Sequence, residues 1–336
     1  MAGRRTNLAL LALLAAALAT GGLAYAIGTG WSRWAVVGHG VAGIGILVLT
    51  PWKSVIARRG LRRRRPSSWA SLFFAVLVAV ALVAGIAHST GLLLSAGGVT
   101  AMQIHVGAAL VSVPFALWHL FTRPVRPRRS DFSRRAFLRS AALGAASVAA
   151  YGALSGLVWV SRLPGRRRRF TGSYETGSFR PEAMPVTQWF NDSVPVLDGS
   201  SWFLSIRQAG REVRRVSLDE LDRQRERVQA TIDCTGGWFA TQDWEGVRMD
   251  ALLPEAPGGR SIEVRSVTGY ARRFPMRDAS NLWLATRVGS GALSAGHGYP
   301  ARVVAPGRRG FWWVKWVASI DVSDAPWWLQ PPFPLT

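Results

Sequence analysis

Acid is missing from the first 130 residues: neither Asp nor Glu occurs before Asp131, although arginine, lysine and long apolar runs are frequent there. Cysteine is almost missing too, with Cys234 alone in 336 residues. That single thiol excludes an intramolecular disulfide and a Cys-based zinc cluster. It leaves two readings for Cys234, a buried apolar side chain or a ligand to a metal. Charge balance returns only in the second half. From Phe170 onward there are 19 basic and 18 acidic residues, a formal +1, so the chain's +22 lies almost entirely before that point. A charge of this size raises the question of nucleic acid. Here the arginines sit between apolar runs, where membrane topology accounts for them, and no nucleic-acid partner is expected. Internal repeats are absent, and low complexity is confined to the arginine runs.

Five stretches have the roughly 20 apolar residues needed to cross a bilayer. They are Leu8–Ile27, Trp34–Pro51, Trp69–Ala87, Ala101–Phe121 and Ala141–Val160. Short loops join the first four, which suggests an antiparallel four-helix bundle. Seven basic residues (Lys53, Arg58, Arg59, Arg62, Arg63, Arg64, Arg65) follow the second stretch, seven more lie within Thr122–Ser140, and the opposite loops hold only Arg33. The positive-inside rule puts both basic loops and the N-terminus in the cytoplasm. Five crossings then leave the C-terminal half on the extracytoplasmic side of the cell membrane. Ser133-Arg134-Arg135-Ala136-Phe137-Leu138-Arg139 is similar to a twin-arginine export motif ahead of a weakly hydrophobic helix. The alternative is an ordinary basic flank. Arg166–Arg169 would lie outside, which is tolerated beside a large translocated domain.

Beyond Phe170 the pattern changes to short alternating segments divided by Gly and Pro. Trp202–Ile206, Arg227–Ile232, Ser261–Val267, Leu282–Thr286, Ala301–Val304 and Phe311–Ile320 read as strands. Leu218–Arg225 reads as a short helix with Ser217 as N-cap. The expected architecture is an α-helical transmembrane bundle followed by an α+β, mainly β, domain. Its divisions are a four-helix membrane domain over 1–125, an export-like segment with the fifth helix and a basic linker over 126–169, and the extracytoplasmic domain over 170–336.

Several motifs in this last domain occur in one order. Trp189-Phe190-Asn191-Asp192-Ser193-Val194-Pro195-Val196 opens it. Ala230-Thr231-Ile232-Asp233-Cys234-Thr235-Gly236-Gly237 is followed by Trp244-Glu245-Gly246-Val247-Arg248-Met249-Asp250-Ala251-Leu252-Leu253. Gly296-His297-Gly298-Tyr299-Pro300-Ala301-Arg302 leads through Pro306-Gly307 to Trp313-Val314-Lys315-Trp316-Val317, and Trp327-Trp328-Leu329-Gln330 closes the set. Over about Pro185–Pro334 the chain resembles the molybdenum domain of the sulfite oxidase family. The resemblance implies that Cys234 ligates molybdenum, and that Asn191, His297, Arg302 and Lys315 bind a molybdopterin cofactor. The chemistry agrees. A thiolate suits a metal held by dithiolene sulfurs, and a phosphate needs cationic donors. The competing reading makes Arg302 and Lys315 a solvated strand edge. Sulfite-oxidising members follow the cysteine with paired arginines, whereas Thr235-Gly236-Gly237-Trp238-Phe239 stands here, and an indole does not replace a guanidinium for an oxyanion. In ending soon after its core, without a dimerising sandwich domain, the chain is similar to the compact bacterial periplasmic methionine-sulfoxide reductases.

Four of the five histidines, His39, His88, His105 and His119, lie in the apolar half, where an ionisable side chain is costly. His39 and His105 are expected at one outer depth and hold a haem b as axial ligands, with His88 as the alternative ligand. His119 lies about 21 Å further along the helix of His105 and lacks a partner. Gly40 and Gly43 are expected to leave space for the macrocycle. The alternative is hydrogen bonding between helices. Together these features predict a membrane-bound molybdopterin oxidoreductase. It would carry out oxygen-atom transfer on a small or methionine-sulfoxide-like S-oxide or N-oxide, with electrons from the quinone pool or a membrane donor. The alternatives are a sulfite-type dehydrogenase, a membrane-anchored domain of this fold without catalytic cofactor, and a thiol enzyme using Cys234 with His297 as base.

Overall fold

The structure, a computed structural model, describes residues 2–61, 68–189, 192–254 and 258–334. Arg62–Arg65 of the first basic loop and Asn191 lie outside the described residues. The chain forms two compact units, one of residues 1–25 and 30–172, the other of residues 26–29 and 173–336.

The first unit is helical. α1 (Ala2–Ala26), α2 (Ser32–Leu61), α3 (Ser68–Thr90), α4 (Ala101–Thr122) and α5 (Arg134–Val160) are each long and apolar enough to cross a membrane. α2 runs ten residues beyond its expected end and α5 begins seven residues before its expected start, so basic residues of both flanking regions are helical. Pro51 and Pro114 lie inside α2 and α4. Between α3 and α4 a two-residue hairpin, β1 (Ser95–Ala96) and β2 (Val99–Thr100), brings Thr100 to the helix start. There its hydroxyl accepts from the Gln103 amide while Gln103 accepts from the Thr100 amide. This reciprocal cap satisfies two donors that the first helical turn leaves unpaired. Ser133, the first residue of the export-like motif, caps α5 by accepting from the Ala136 amide.

α3 packs along α4, and α2 along α5. The fifth helix is therefore part of the bundle. Large apolar side chains point outward all along it, among them Leu18, Leu47, Leu72, Val83, Leu110 and Leu157. Exposed Trp31, Trp34 and Trp159 mark one end, and Trp52, Trp69 and Trp118 the other.

The second unit is mainly β. Its elements are β3 (Tyr174–Glu175), β4 (Phe203–Gln208), β5 (Arg211–Ser217), α6 (Leu218–Arg223), β6 (Glu226–Asp233), β7 (Trp238–Arg248), α7 (Met249–Leu252), β8 (Ser261–Ser266), β9 (Ala271–Pro275), β10 (Trp283–Val288), β11 (Gly291–Ala292), β12 (Arg302–Val304) and β13 (Val317–Ser323). One sheet has the order β11-β10-β7-β3, with β12 also on β10 and β6 on β7; the other has the order β5-β4-β13-β8-β9. In β7, Trp238, Ala240, Gln242 and Trp244 are buried while the residues between them are half-exposed. This is the period-two alternation of a strand with one face in the core. Gly246 is needed where β7 meets β10, because a Cβ there would lie 2.2 Å from the Leu284 carbonyl oxygen. β5 forms an exposed edge with Arg211, Glu212, Arg214 and Arg215, charges that discourage pairing with another sheet.

Ser217 caps α6 as expected, its hydroxyl accepting from the Glu220 amide. The expected strand over Phe311–Ile320 is a correction. Gly310–Trp312 is a 3-10 turn, Trp316 adopts φ 51°, and the strand begins only at Val317. Lys315 therefore sits on irregular backbone beside β12, not on a neighbouring strand. Two bonds tie that segment down, Val303 N–H to the Val314 carbonyl and Val317 N–H to the Ala301 carbonyl.

Candidate active site and metal centres

β6 and β7 pair in antiparallel register as far as Asp233 opposite Phe239, and Cys234 stands at the turn between them. The turn is closed by the Cys234 amide on the Trp238 carbonyl, 2.8 Å, and by the Gly237 amide on the Cys234 carbonyl. Gly237 makes this possible at φ 93°. The Sγ accepts from the Gly236 amide at 3.3 Å and lies 3.5 Å from the Thr187 hydroxyl. The thiol is half-buried, so it is not the closed core cysteine of the simpler reading.

The backbone beneath the thiol is held by residues that the sequence did not single out. Asp233 is buried and accepts from both Ser173 and Arg309, and Arg309 also donates to the Cys234 carbonyl. Gly310 packs on Cys234 so closely that a Cβ would come within 3.1 Å of its Cα. The signal was present, since Arg309 follows the Pro306-Gly307 turn and Asp233 precedes the cysteine. Nothing in either neighbourhood showed that the two would pair across 76 residues.

Arg302 and Lys315 come together around Gly298. At φ 110° that glycine would place a Cβ 3.0 Å from Arg302 Cβ and 3.2 Å from Lys315 Cβ. Arg302 is 1% exposed, so it is no strand-edge cation. It donates to the carbonyls of His297 (3.0 Å) and Trp313 (3.4 Å), its guanidinium lies over Trp244 and Trp313, and its buried Nε has no partner. Burial pushes it down to about 9, partly opposed by the charge of Cys234. Lys315 donates to the carbonyls of Thr187 and Gly296, at 2.8 and 2.6 Å. Burial, reinforced by Arg302, brings it down to about 7, against the pull of Cys234 and Asp192. Among the described residues neither cation has a carboxylate in ion-pair contact. Removing one partner from a buried ion pair typically costs several kcal/mol, so the buried Arg302 and the half-buried Lys315, both lacking a carboxylate among the described residues, point to an anion between them.

His297 is buried, with Nε2 3.0 Å from the Met184 carbonyl and Nδ1 2.9 Å from the Ser294 hydroxyl. Burial and the Arg302 charge lower its pKa, so the ring is neutral at pH 7. Nε2–H then donates to Met184, and Nδ1 accepts from Ser294. Neither nitrogen faces Cys234, which removes the base required by a thiol enzyme.

Residues 191–328 match the family described as the oxidoreductase molybdopterin binding domain. The C-terminal unit is a molybdopterin-binding oxidoreductase domain. This molybdopterin domain is similar to mitochondrial sulfite oxidase of Rattus norvegicus, 27% identical in an alignment 168 positions long that covers 39% of this chain and 31% of that protein. It is likewise similar to NADH nitrate reductase of Hordeum vulgare, 26% identical in an alignment 219 positions long that covers 50% of this chain and 24% of that one. The chain thus spans less than a third of either relative. Among solved structures, the sulfane dehydrogenase SoxCD from Paracoccus pantotrophus is 27% identical over 39% of this chain and 40% of that one, at a TM-score of 0.37. The residues present fit the cofactor. A half-buried thiol, one buried and one half-buried cation with no carboxylate partner among the described residues, the open Arg302 Nε and a buried Trp238 indole N–H without an acceptor match a metal, a phosphate and a polar heterocycle.

The helical unit holds a second constellation. His39 of α2 and His105 of α4 meet with their Nε2 atoms 3.3 Å apart and their rings at 84°. Each Nδ1 lies on a backbone carbonyl, Ala17 at 2.9 Å and Ala81 at 2.7 Å. A carbonyl only accepts, so both Nδ1 atoms carry the proton and both Nε2 atoms present lone pairs to each other. Such a pair requires a proton or a Lewis acid between the two nitrogens. Each ring rests against a glycine of the neighbouring helix: a Cβ at Gly21 would be 3.0 Å from His39, and one at Gly85 would be 2.9 Å from His105. The space expected beside Gly40 is filled by Tyr151 of α5, and Gly43 faces Leu82. The glycines packed against the two rings are therefore Gly21 and Gly85. His88 is engaged elsewhere, its Nε2 on the Gly172 carbonyl, and His119 pairs with Ser71 beside Phe74.

Proposed function

We propose that this protein is a membrane-bound oxidoreductase that transfers an oxygen atom at an extracytoplasmic molybdopterin domain and exchanges electrons through a haem b in its helical unit. The observation that carries the reading is the pair of cations, buried Arg302 and half-buried Lys315, beside a half-buried thiol and, among the described residues, without a carboxylate in ion-pair contact. Cys234 would ligate the metal, Arg302 and Lys315 would hold the cofactor phosphate, and Asn191 would add a contact in the opening segment. His297, whose ring nitrogens are both engaged, would position Arg302 through its carbonyl. When bound, the cofactor supplies two-electron redox chemistry at an open metal position. The chain's own residues orient it: the Asp233–Arg309 pair fixes the cysteine backbone, and the indoles of Trp244 and Trp313 cover Arg302 away from water.

Outward apolar side chains on all five helices and aromatic side chains at both bundle ends support the membrane reading. The charge distribution supports placing the C-terminal unit outside, and a folded, cofactor-loaded domain suits the Ser133–Arg139 motif as an export signal. The facing Nε2 atoms of His39 and His105 support an iron between them. His88 and His119 stay secondary candidates, and an outer haem would take electrons from the quinone pool or a membrane donor.

One relative is named for sulfite oxidation and the other for nitrate reduction, so the shared domain leaves the direction open. Arg309 is held by Asp233 and not free for an oxyanion, and Trp238 follows the cysteine turn. Both features favour a neutral S-oxide or N-oxide, such as methionine sulfoxide, over sulfite. Steady-state assays with a viologen donor and methionine sulfoxide, and with sulfite and a dye acceptor, decide the matter. The proposal requires the first activity to exceed the second, and the reverse order would replace it with a sulfite-type dehydrogenase.

A further inference from the structure

At the basic end of the helical unit, an open cavity of about 560 Å³ is lined by Arg4, Asn7, Pro124, Val125, Arg126 and Arg128. It is formed by the first turns of α1 and the segment that leads from α4 to α5. Three arginines and an asparagine line it, and no acidic residue does among the described residues. The acid nearby is already engaged: Asp131 accepts from Arg4 at 2.8 Å and from the Arg128 amide at 2.9 Å, and lies 3.5 Å from Arg5. Arg126 and Arg128 have no carboxylate partner among the described residues, and Arg4 keeps a buried Nη1 with no hydrogen bond. Lys53 of α2 donates to Asn7 at 2.9 Å, which fixes the carboxamide and adds a fourth positive charge behind the wall. Pro124 and Val125 supply an apolar side. Exposed Trp52, Trp69 and Trp118 stand at the same end of the bundle, where an interfacial aromatic belt lies at headgroup level.

We propose that this cavity binds the phosphodiester headgroup of an acidic phospholipid. Guanidinium forks match phosphate oxygens in pairs, and basic pockets between membrane helices on the cytoplasmic side bind anionic headgroups. The apolar wall then meets the glycerol and the start of the acyl chains, which a free phosphate does not have. The proposal is independent of the molybdenum and haem readings and rests on the reading of the helices as membrane spans. That reading is checked first: full-length protein stays with the membrane until detergent is added. Release into buffer alone would overturn it, and this site with it.

The test is native mass spectrometry of the detergent-purified full chain titrated with phosphatidylglycerol, phosphatidylcholine or inorganic phosphate. One phosphatidylglycerol per chain is retained in preference to phosphatidylcholine, and millimolar phosphate does not displace it. Each basic residue near an anionic headgroup contributes a factor of about five, so R126A/R128A weakens binding about thirty-fold. R126Q/R128Q gives the same reading if the alanine pair does not purify. Equal retention of the two lipids, unchanged affinity in the double variant, or displacement by phosphate each overturns the proposal. The last of these would assign the cavity to a free anion.

Discussion

Replacing Lys315 by methionine should have opposite effects on the empty and the loaded protein. In the empty site the ammonium is driven from 10.5 to about 7, chiefly by burial. That displacement corresponds to roughly 5 kcal/mol of penalty on the charged form. Methionine removes it but strips donors from the Thr187 and Gly296 carbonyls, at about 1–1.5 kcal/mol each. The cofactor-free K315M chain should therefore be more stable by roughly 2 kcal/mol, equivalent to a few degrees in melting temperature for a domain of this size. pH gives a second handle. Between about pH 7 and 10.5 the unfolded chain carries the Lys315 proton and the folded chain does not, so wild-type stability rises across that window. In K315M this contribution is absent. With cofactor bound the order reverses, because the phosphate gives the ammonium its counter-charge. The assay is intrinsic tryptophan melting of full-length protein from cofactor-deficient and cofactor-replete hosts, between pH 6.5 and 9.5. A cofactor-free K315M that melts below wild type at pH 7 would refute the claim that Lys315 is a strained cation awaiting an anion.

Three further outcomes follow from the same geometry. C234S should abolish turnover while expression and membrane insertion stay near wild type, and retained activity would make the thiol structural. R302A/K315A should lose most of its pterin, read by fluorescence of the oxidised cofactor, since two charge-assisted contacts of roughly 1.5–3 kcal/mol each are removed; full pterin content would put the phosphate elsewhere. H39A or H105A should eliminate the reduced b-haem band, with a smaller effect from H119A. Those variants should lose electron delivery from quinol but keep dye-driven activity. Wild-type protein that carries molybdenum but no haem when haem is plentiful would leave the helices as an anchor alone.

Membrane-length helices were legible because an apolar run of 20 residues has few other meanings, and Cys234, Arg302 and Lys315 were legible as a motif order. Other features were not. β7 escaped because Thr241, Asp243 and Glu245 on its half-exposed face dilute the apolar period, although Trp238, Ala240 and Trp244 alternate beneath them. β5 escaped because an edge strand of Arg211, Glu212, Arg214 and Arg215 carries no apolar period. Phe311–Trp316 was read as strand from composition, but its aromatic side chains pack around a turn with Trp316 at positive φ. The Asp233–Arg309 pair and the glycine seats of His39 and His105 are long-range contacts, which no local pattern encodes. Burial itself was the feature that distinguished Arg302 from a solvated cation.

The most direct test of the molybdopterin assignment is the molybdenum content of full-length protein purified from a cofactor-replete host, measured by inductively coupled plasma mass spectrometry beside C234S. The account predicts close to one molybdenum per wild-type chain and a clear loss in C234S. Wild-type protein without stoichiometric molybdenum, or a variant that keeps all of it, would contradict the central claim.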